Sequence, residues 1–520
     1  MSEATGNPPA ETSTERSAEW SDWINPILVK EMRQGVKSRA FTWTFSVVLV
    51  CVWGWTTLGI LARWPDIRYD GDGTTLLLGY SILAVVPLLF VIPFFAFRAM
   101  IAEFDSNTFE LLSIATITPQ QIVRGKLITA LWQAVVYLSV LAPCIAFTYI
   151  LGGVDLRQIG AILLFLAAGT LVTVAVAILL ATAAMGSIIS VGATIMLVAS
   201  LIMTSWAAII YLAVLVWQPF DAIEVAFGQY PAMMFVFYGV GFSVALVALE
   251  AAASRIAPPA VNRSAPIRSR LLVLAGASAA TMCLPALYDS DSSESLNVIS
   301  ATVALPWLVI VTLLAAERDQ VSPRVRRELP QSLPARVMWG WRIPGSGTGY
   351  LFGMAVTVAM MAAAGVVNWR IDLADKAFLA VHVLYIMMYV SIVRLALQHI
   401  RKRRPDAGFI TALVLLAIVL FVANLGPAVF SAMWPTADFE TQVSVFFIPS
   451  WRWAASYVQD GAQDLAFTAI GVIVVPLFLF NLPSAARQLL VPVAEEPAAI
   501  TIARQQKKAD RTVDPLADDA

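Results

Sequence analysis

One short polar stretch with three acidic residues interrupts the apolar runs of this chain. Glu103, Asp105 and Glu110 lie within residues 102–127, which separate two long apolar runs. They precede leucines and isoleucines that can share one face of a helix. The pattern predicts an amphipathic element at the membrane edge, with its apolar face against lipid or neighbouring helices. Its acidic residues would remain accessible to a partner, so the chemistry that it favours is binding.

Thr118 and Pro119 divide this stretch into two helical pieces. Threonine is a good N-cap and proline suits the first helical position. We therefore expect one helix to end before Thr118 and a short second segment, Gln120 to Lys126, to lead into the next apolar run. Such a helix–break–helix forms a rigid protrusion between two membrane spans.

The sequence contains no motif for catalysis. A phosphate-binding loop needs G-x-x-x-x-G-K-[ST], whereas Gly125-Lys126 is followed by Leu127 and lacks the earlier glycine. The two histidines, His382 and His399, cannot form a His-rich metal site, and H-E-x-x-H and G-x-S-x-G are absent. We therefore predict that the chain is not an enzyme, has no metal site and binds no cofactor.

Composition places these residues in a membrane protein. Hydrophobic residues make up 59% of the 520 and charged residues 13%, whereas soluble domains carry about 25% charged residues. A span needs roughly 20 apolar residues. We therefore predict an all-α integral membrane protein, a polytopic helical bundle of about 12 transmembrane helices. The predicted spans are 41–62, 75–97, 127–151, 160–184, 188–217, 232–254, 271–288, 297–316, 350–368, 377–398, 409–433 and 464–482, with the fourth and fifth divided at Gly186-Ser187.

Basic residues orient these spans. With twelve spans, 27 of the 34 lysines and arginines fall on one side of the membrane, which is the cytosolic side by the positive-inside rule. Both termini are then cytosolic. Arg394 and Glu250 lie inside spans near cytosolic helix ends, where they are expected to snorkel. His382 is expected to be a packing residue near Tyr385, with a proton relay as the alternative.

The same reading divides the chain into four regions. Residues 1–22 and 484–520 are predicted disordered cytosolic tails. Residues 23–255 form a six-span domain with a cytosolic element at 98–126, and 256–483 form a second six-span region. The likeness between the two halves is one of topology, because no residue-level repeat is evident.

A basic amphipathic helix is predicted at 25–40, immediately before the first span. Asn25 is suited to the N-cap and Pro26 to the first helical position. Such a helix can lie in the headgroup plane, either as a topology anchor or as an elbow that transmits motion. Its charged residues are Lys30, Glu31, Arg33, Lys37 and Arg39.

The 103–126 stretch, E-F-D-S-N-T-F-E-L-L-S-I-A-T-I-T-P-Q-Q-I-V-R-G-K, resembles the region between the second and third spans of ABC transporter permeases of the ABC-2 type. The opening N-P-I-L-V-K-E-M-R-Q is similar to the start of many such permeases. The resemblance extends over about residues 1–255 and is topological beyond, and Asn107 departs from the glycine usual in the family. The positions that carry it are Glu103, Thr108, Glu110, Leu111, Leu112, Thr118, Pro119, Ile122, Gly125 and Lys126.

This resemblance implies a specific function. The stretch would be the coupling helix that docks on a separate cytosolic ABC ATPase subunit, with ATP and Mg on that partner. The chain would be the permease subunit of an ATP-driven exporter in a bacterial cytoplasmic (inner) membrane. It would work as a complete pathway, as a homodimer or with a second permease subunit, and without nucleic acid.

Two other functions stay open from the residues alone. One is an ion-coupled secondary carrier, although such carriers place carboxylates or histidines within the membrane and these spans hold few. The other is a non-transporting membrane scaffold. The substrate cannot be read, although the nearly charge-free spans favour an apolar or amphipathic cargo.

Overall fold

A computed structural model describes most of the chain at the level of side chains and helices. The described residues are 35, 37–62, 64, 73–105, 118–184, 187–217, 231–258, 261–284, 293–319, 325, 332–368, 373–405, 407–433 and 463–490. They form helices joined by turns and contain no strand. The predicted all-α class is therefore confirmed for this part of the chain.

The chain divides into two compact units, Met1–Ile256 and Ala257–Ala520. Unit 1 contains seven described helical segments. They are α1 Arg39–Ala62, α2 Gly73–Val85, α3 Ile92–Asp105, α4 Pro119–Leu151, α5 Leu156–Ala183, α6 Ser187–Trp217 and α7 Pro231–Ile256.

The centre of unit 1 is one continuous span made of α2 and α3. A π-helical turn, Val86–Val91, joins them and has Pro87 in its first turn. Proline cannot donate the backbone bond that a regular helix needs at that place, and a π turn accommodates the loss. Among the candidate spans of unit 1, this one is the most deeply buried. The helix that leads to the acidic stretch is thus the core helix of the unit.

Unit 2 has the same general construction. Its helices are α8 Ser264–Met282, α9 Ser293–Ala315, α10 Leu333–Trp339, α11 Ser346–Val367, α12 Leu373–Arg403, α13 Phe409–Met433 and α14 Gln463–Leu490, with a 3₁₀ turn at Gly340–Arg342. Its most deeply buried candidate span lies within α12, which packs against α9, α13 and α14.

Ten helices of the described residues are long and apolar enough to cross a membrane. They confirm a multi-pass membrane protein and correspond to ten of the twelve predicted spans. The division of the long fourth-to-fifth run is confirmed, because α5 ends at Ala183 and α6 begins at Ser187. The predicted spans 271–288 and 409–433 are not among the ten. The first is replaced by α8, which is 19 residues long and includes Arg268 and Arg270, and the described apolar part of the second is short, Phe409–Leu425.

Several predicted boundaries shift. Residues 484–490, assigned to the C-terminal tail, are the last turns of α14, since the apolar positions Leu489 and Leu490 continue the helix. Arg39 and Ala40 begin α1 rather than end the interfacial helix. Helix α4, the third predicted span, is continuous from Pro119, so Gln120 to Lys126 is its first part and not a separate segment. The predicted N-terminal tail, the start of the interfacial helix and residues 106–117 lie outside the described residues.

Candidate functional site

The described part of the 103–126 element consists of the two helix ends that flank it. Glu103 lies near the end of α3, and Thr118, Pro119, Gly125 and Lys126 lie at the start of α4. The remaining predicted docking residues, Thr108, Glu110, Leu111 and Leu112, lie outside the described residues. The structure therefore describes the two helix ends that flank the predicted docking surface, which we call the platform.

An ion pair joins the two helix ends of this platform. The Lys126 ammonium donates to the Glu103 carboxylate, and their side chains are 8% and 25% exposed. Met100 near the end of α3 and Val123 near the start of α4 are both buried, and the two helices are in contact. The partly buried ion pair therefore connects the two helix ends that flank residues 106–117.

The predicted start of α4 is confirmed. The Gln121 amide donates to Thr118 Oγ1 at 3.4 Å, and the Thr118 amide donates to Gln121 Oε1 at 2.8 Å. These reciprocal bonds form a capping box, with Pro119 at the first helical position. The cap determines where the segment between α3 and α4 ends and where the helix begins.

Both flanking helices are longer than a membrane requires. α4 has 33 residues and the α2–α3 span has 32, which correspond to about 50 Å at 1.5 Å per residue. The hydrocarbon core is about 30 Å thick. Each helix is therefore long enough to extend several turns beyond it, and the Glu103–Lys126 pair joins the end of α3 to the start of α4.

The end of the predicted interfacial helix contacts α4 further along. Gly35 and Lys37 are helical, Ser38 interrupts the helix, and α1 begins at Arg39. The Phe41 amide donates to Ser38 Oγ at 3.2 Å, which caps α1. A Cβ on Gly35 would lie 2.7 Å from Gln133 Nε2 on α4, so glycine permits this approach. A break at Ser38 thus precedes the first span, while Lys30, Glu31 and Arg33 lie outside the described residues.

Two further contacts connect α4 to its neighbours. Thr44 Oγ1 and Tyr137 Oη are 2.7 Å apart, and the Phe41 ring packs edge-on against Tyr137. At the start of α4, Gln120 Nε2 donates to Glu250 Oε1 on α7 at 3.4 Å. Glu250 is thus largely buried beside a polar partner, and the predicted snorkelling is wrong for this residue. Helix α4 therefore contacts Gly35 before the break at Ser38, helix α1 and helix α7.

Unit 2 contains a buried polar cluster that sequence reasoning missed. The Arg268 side chain has no exposed surface. Its Nη2 donates to Glu317 Oε2 at 2.6 Å, and its Nη1 donates to the carbonyl oxygens of Trp341 and Ile343, each at 2.8 Å. Ser264 Oγ and the Gly345 amide also donate to Glu317 Oε2, each at 3.1 Å. These bonds fasten the segment before α11 to α8 and to the end of α9.

Small residues allow this cluster to form. Gly345 has a φ of 146°, which an L side chain rarely adopts. A Cβ on Gly349 would lie 2.3 Å from the Leu314 carbonyl oxygen, so only glycine fits there without a backbone shift. Arg268 and Glu317 are 49 residues apart, and only the close approach of three helices brings them together. Nearby, burial lowers the pKa of the Arg263 guanidinium, which still stays charged near neutral pH.

Arg394 on α12 is the second polar residue that the structure places differently. We expected it to snorkel, but its side chain is only 1% exposed. Its Nη1 donates to Asn481 Oδ1 at 2.9 Å and to Ser484 Oγ at 3.1 Å on α14. The guanidinium also lies 5.0 Å from the centroid of the Tyr350 ring. His382, on the same helix, is buried together with Tyr385.

Within the described part of the chain, no three His, Cys, Asp or Glu residues lie close enough to hold a metal ion. Comparison with protein-family models, with curated proteins and with solved structures found no match. The case for a function therefore depends on the residues and on their arrangement.

Lys126→Gln is expected to destabilise unit 1, because it leaves the Glu103 carboxylate half-buried without its cation. The cost should be about 1–2 kcal/mol, which is below the figure for a fully buried pair because Glu103 keeps some solvent. The melting temperature of the purified chain in detergent measures it. Arg124→Gln, two residues away on the exposed face, is the matched control and should melt like the wild type. Equal melting of both variants would exclude a structural role for the ion pair.

Proposed function

We propose that the chain is the membrane-spanning permease subunit of an ATP-driven ABC transporter, an exporter coupled to a separate ATPase subunit. The observation that carries the proposal is the platform formed by Glu103 and Lys126 at the ends of two long helices. The platform flanks residues 106–117, and the sequence of this segment has the coupling-helix pattern.

The contacts of α4 give this proposal a mechanical basis. ATP and Mg bind to the partner and bring its two copies together, and the partner pushes on the 103–126 element. α4 moves as a rigid rod, because its cap, its ion pair and its apolar contacts hold the start of the helix. The motion then reaches the proposed elbow at Gly35, α1 through the contact between Thr44 and Tyr137, and α7 through Glu250. Nucleotide changes the inward–outward equilibrium by its differential affinity for the two states.

The proposed topology has twelve spans with both termini in the cytosol of a bacterium, in its inner membrane. The distribution of basic residues supports it, as do ten candidate spans at predicted positions. In this orientation, the Glu103–Lys126 platform lies on the cytosolic side.

Co-purification from the native membrane tests the proposal. The solubilised chain should retain a polypeptide with a G-x-x-x-x-G-K-[ST] motif, and the complex should hydrolyse ATP. A chain that purifies alone from gently solubilised native membranes, with no ATP hydrolysis, would contradict the proposal. The genomic counterpart is a neighbouring gene that encodes such an ATPase.

The second candidate function is an ion-coupled carrier, which the burial of Arg394 and His382 on α12 favours. Ionisable residues within a membrane are costly and commonly belong to ion or substrate pathways. Transport into vesicles that persists without ATP and collapses with a protonophore would select this candidate. Transport that requires ATP and resists the protonophore would select the permease.

A further inference from the structure

A short segment of unit 2, residues 332–343, crosses the end of the helical bundle just before α11. It consists of α10 and the 3₁₀ turn Gly340–Arg342. Its backbone is held from the inner side: Arg268 binds the carbonyl oxygens of Trp341 and Ile343, and Asn262 Nδ2 donates to the Arg342 carbonyl oxygen at 3.0 Å. The backbone is therefore fixed.

The side chains on the outer face of this segment are apolar and basic. Met338 is 71% exposed and Trp339 is 49% exposed. The exposed Arg342 guanidinium lies 5.8 Å from the ring centroid of Trp339 and 5.6 Å from that of Trp341. Among the described residues, Arg342 forms no salt bridge. Two indole rings thus flank an exposed cation.

The position of this group along the chain indicates its depth. Arg342 is four residues before Ser346, where a 22-residue candidate span begins. Side chains at such a distance from a span lie at the level of lipid headgroups, where tryptophan is enriched. Exposed methionine and tryptophan are unfavourable in water, but they can insert beside the glycerol and upper acyl region of a lipid.

We propose that Trp339, Trp341 and Arg342 form a binding site for the phosphate of an anionic phospholipid. The lipid lies in the membrane leaflet in which the span Ser346–Val367 begins. Arginine donates two bonds to a phosphate in a planar fork, and ring stacking holds the guanidinium in place. Met338 and Trp339 contact the apolar part of the same lipid. The site requires only that the chain span a membrane, so it does not depend on coupling to an ATPase.

Native mass spectrometry of the purified full-length chain tests the site. The wild-type chain should bind phosphatidylglycerol more tightly than phosphatidylcholine with the same acyl chains. Arg342→Gln should weaken the binding of phosphatidylglycerol roughly fivefold, as expected for one arginine near an anionic surface. Trp339→Ala should weaken it about threefold, because it removes one ring from the cation.

Two controls make the result specific. Arg404→Gln removes another exposed arginine of unit 2 and should leave the affinity unchanged. Excess inorganic phosphate should not displace the lipid, because the indole and methionine contacts need its apolar part. Equal affinities of the wild type and both site variants, equal binding of the two lipids, or displacement by phosphate would each overturn the proposal. Melting temperatures show that Trp339→Ala, which alters a largely exposed side chain, is folded.

Discussion

Leu111→Asp is expected to abolish the association of the chain with the proposed ATPase subunit while the chain still inserts in the membrane. In the proposed coupling helix, Leu111 supplies apolar contact area, and an aspartate there would be buried without a partner. An unpaired charge at an interface costs about 2–5 kcal/mol, which weakens binding roughly 30-fold or more. The measurement is the amount of ATPase that co-purifies with the solubilised chain.

The controls for this experiment test position and charge separately. Val261→Asp introduces the same charge at an exposed apolar residue of the segment before α8 and should not reduce the yield of ATPase. Glu110→Lys should abolish association because it reverses an acidic contact, whereas Lys402→Glu, a reversal at another exposed residue, should not. A monodisperse elution profile shows that each variant is folded. If both Leu111→Asp and Glu110→Lys co-purify as much ATPase as the wild type, residues 103–126 are not the docking surface.

Arg268→Ala is expected to have the largest effect on stability. The substitution removes a fully buried cation that holds Glu317 and two backbone carbonyls. Breaking a buried ion pair by removing one partner costs about 3–5 kcal/mol, because the remaining charge stays desolvated. Unit 2 should lose its cooperative thermal transition or melt well below the wild type in the same detergent. Circular dichroism at a helical wavelength follows the transition.

Two further variants separate the ion pair from general damage to α8. Arg270→Ala, two residues on in the same helix and only partly buried, should melt close to the wild type. The double variant Arg268→Met with Glu317→Leu should recover part of the loss, since apolar replacement of both partners removes the buried unpaired charge. Recovery should be incomplete, because the Gly345 amide loses its acceptor. A double variant less stable than Arg268→Ala would contradict this account of the cluster.

The two units hold the chain differently at the segment between their second long helix and the next one. In unit 1, one ion pair and one capping box hold the two ends of residues 106–117, and the segment between them carries the docking pattern. In unit 2, Arg268 and Glu317 bind the backbone before α11 directly. This arrangement suits a fixed part of the structure, whereas the platform of unit 1 suits a segment that a partner moves as a whole.

The sequence by itself determined the class of the protein, the positions of most of its helices and the cap at Thr118. These features depend on local physics: an apolar run of sufficient length forms a span, and threonine before proline begins a helix. The division between α5 and α6 follows the same logic, because a charge-free run was too long for one helix. The coupling pattern is also local, and the proposed ATPase partner rests on it.

Only the tertiary structure decided which polar residues are buried and what they bind. From the sequence alone, Arg268 is one of several basic residues between two predicted spans, and Arg394 is expected to snorkel. Both are enclosed, because helices distant in sequence place carbonyls, an amide and aromatic rings around them. Lys126, predicted as part of a docking surface, faces Glu103 across the platform. Burial and pairing depend on which helices pack together, and the helical pattern of a single segment carries no information about its neighbours.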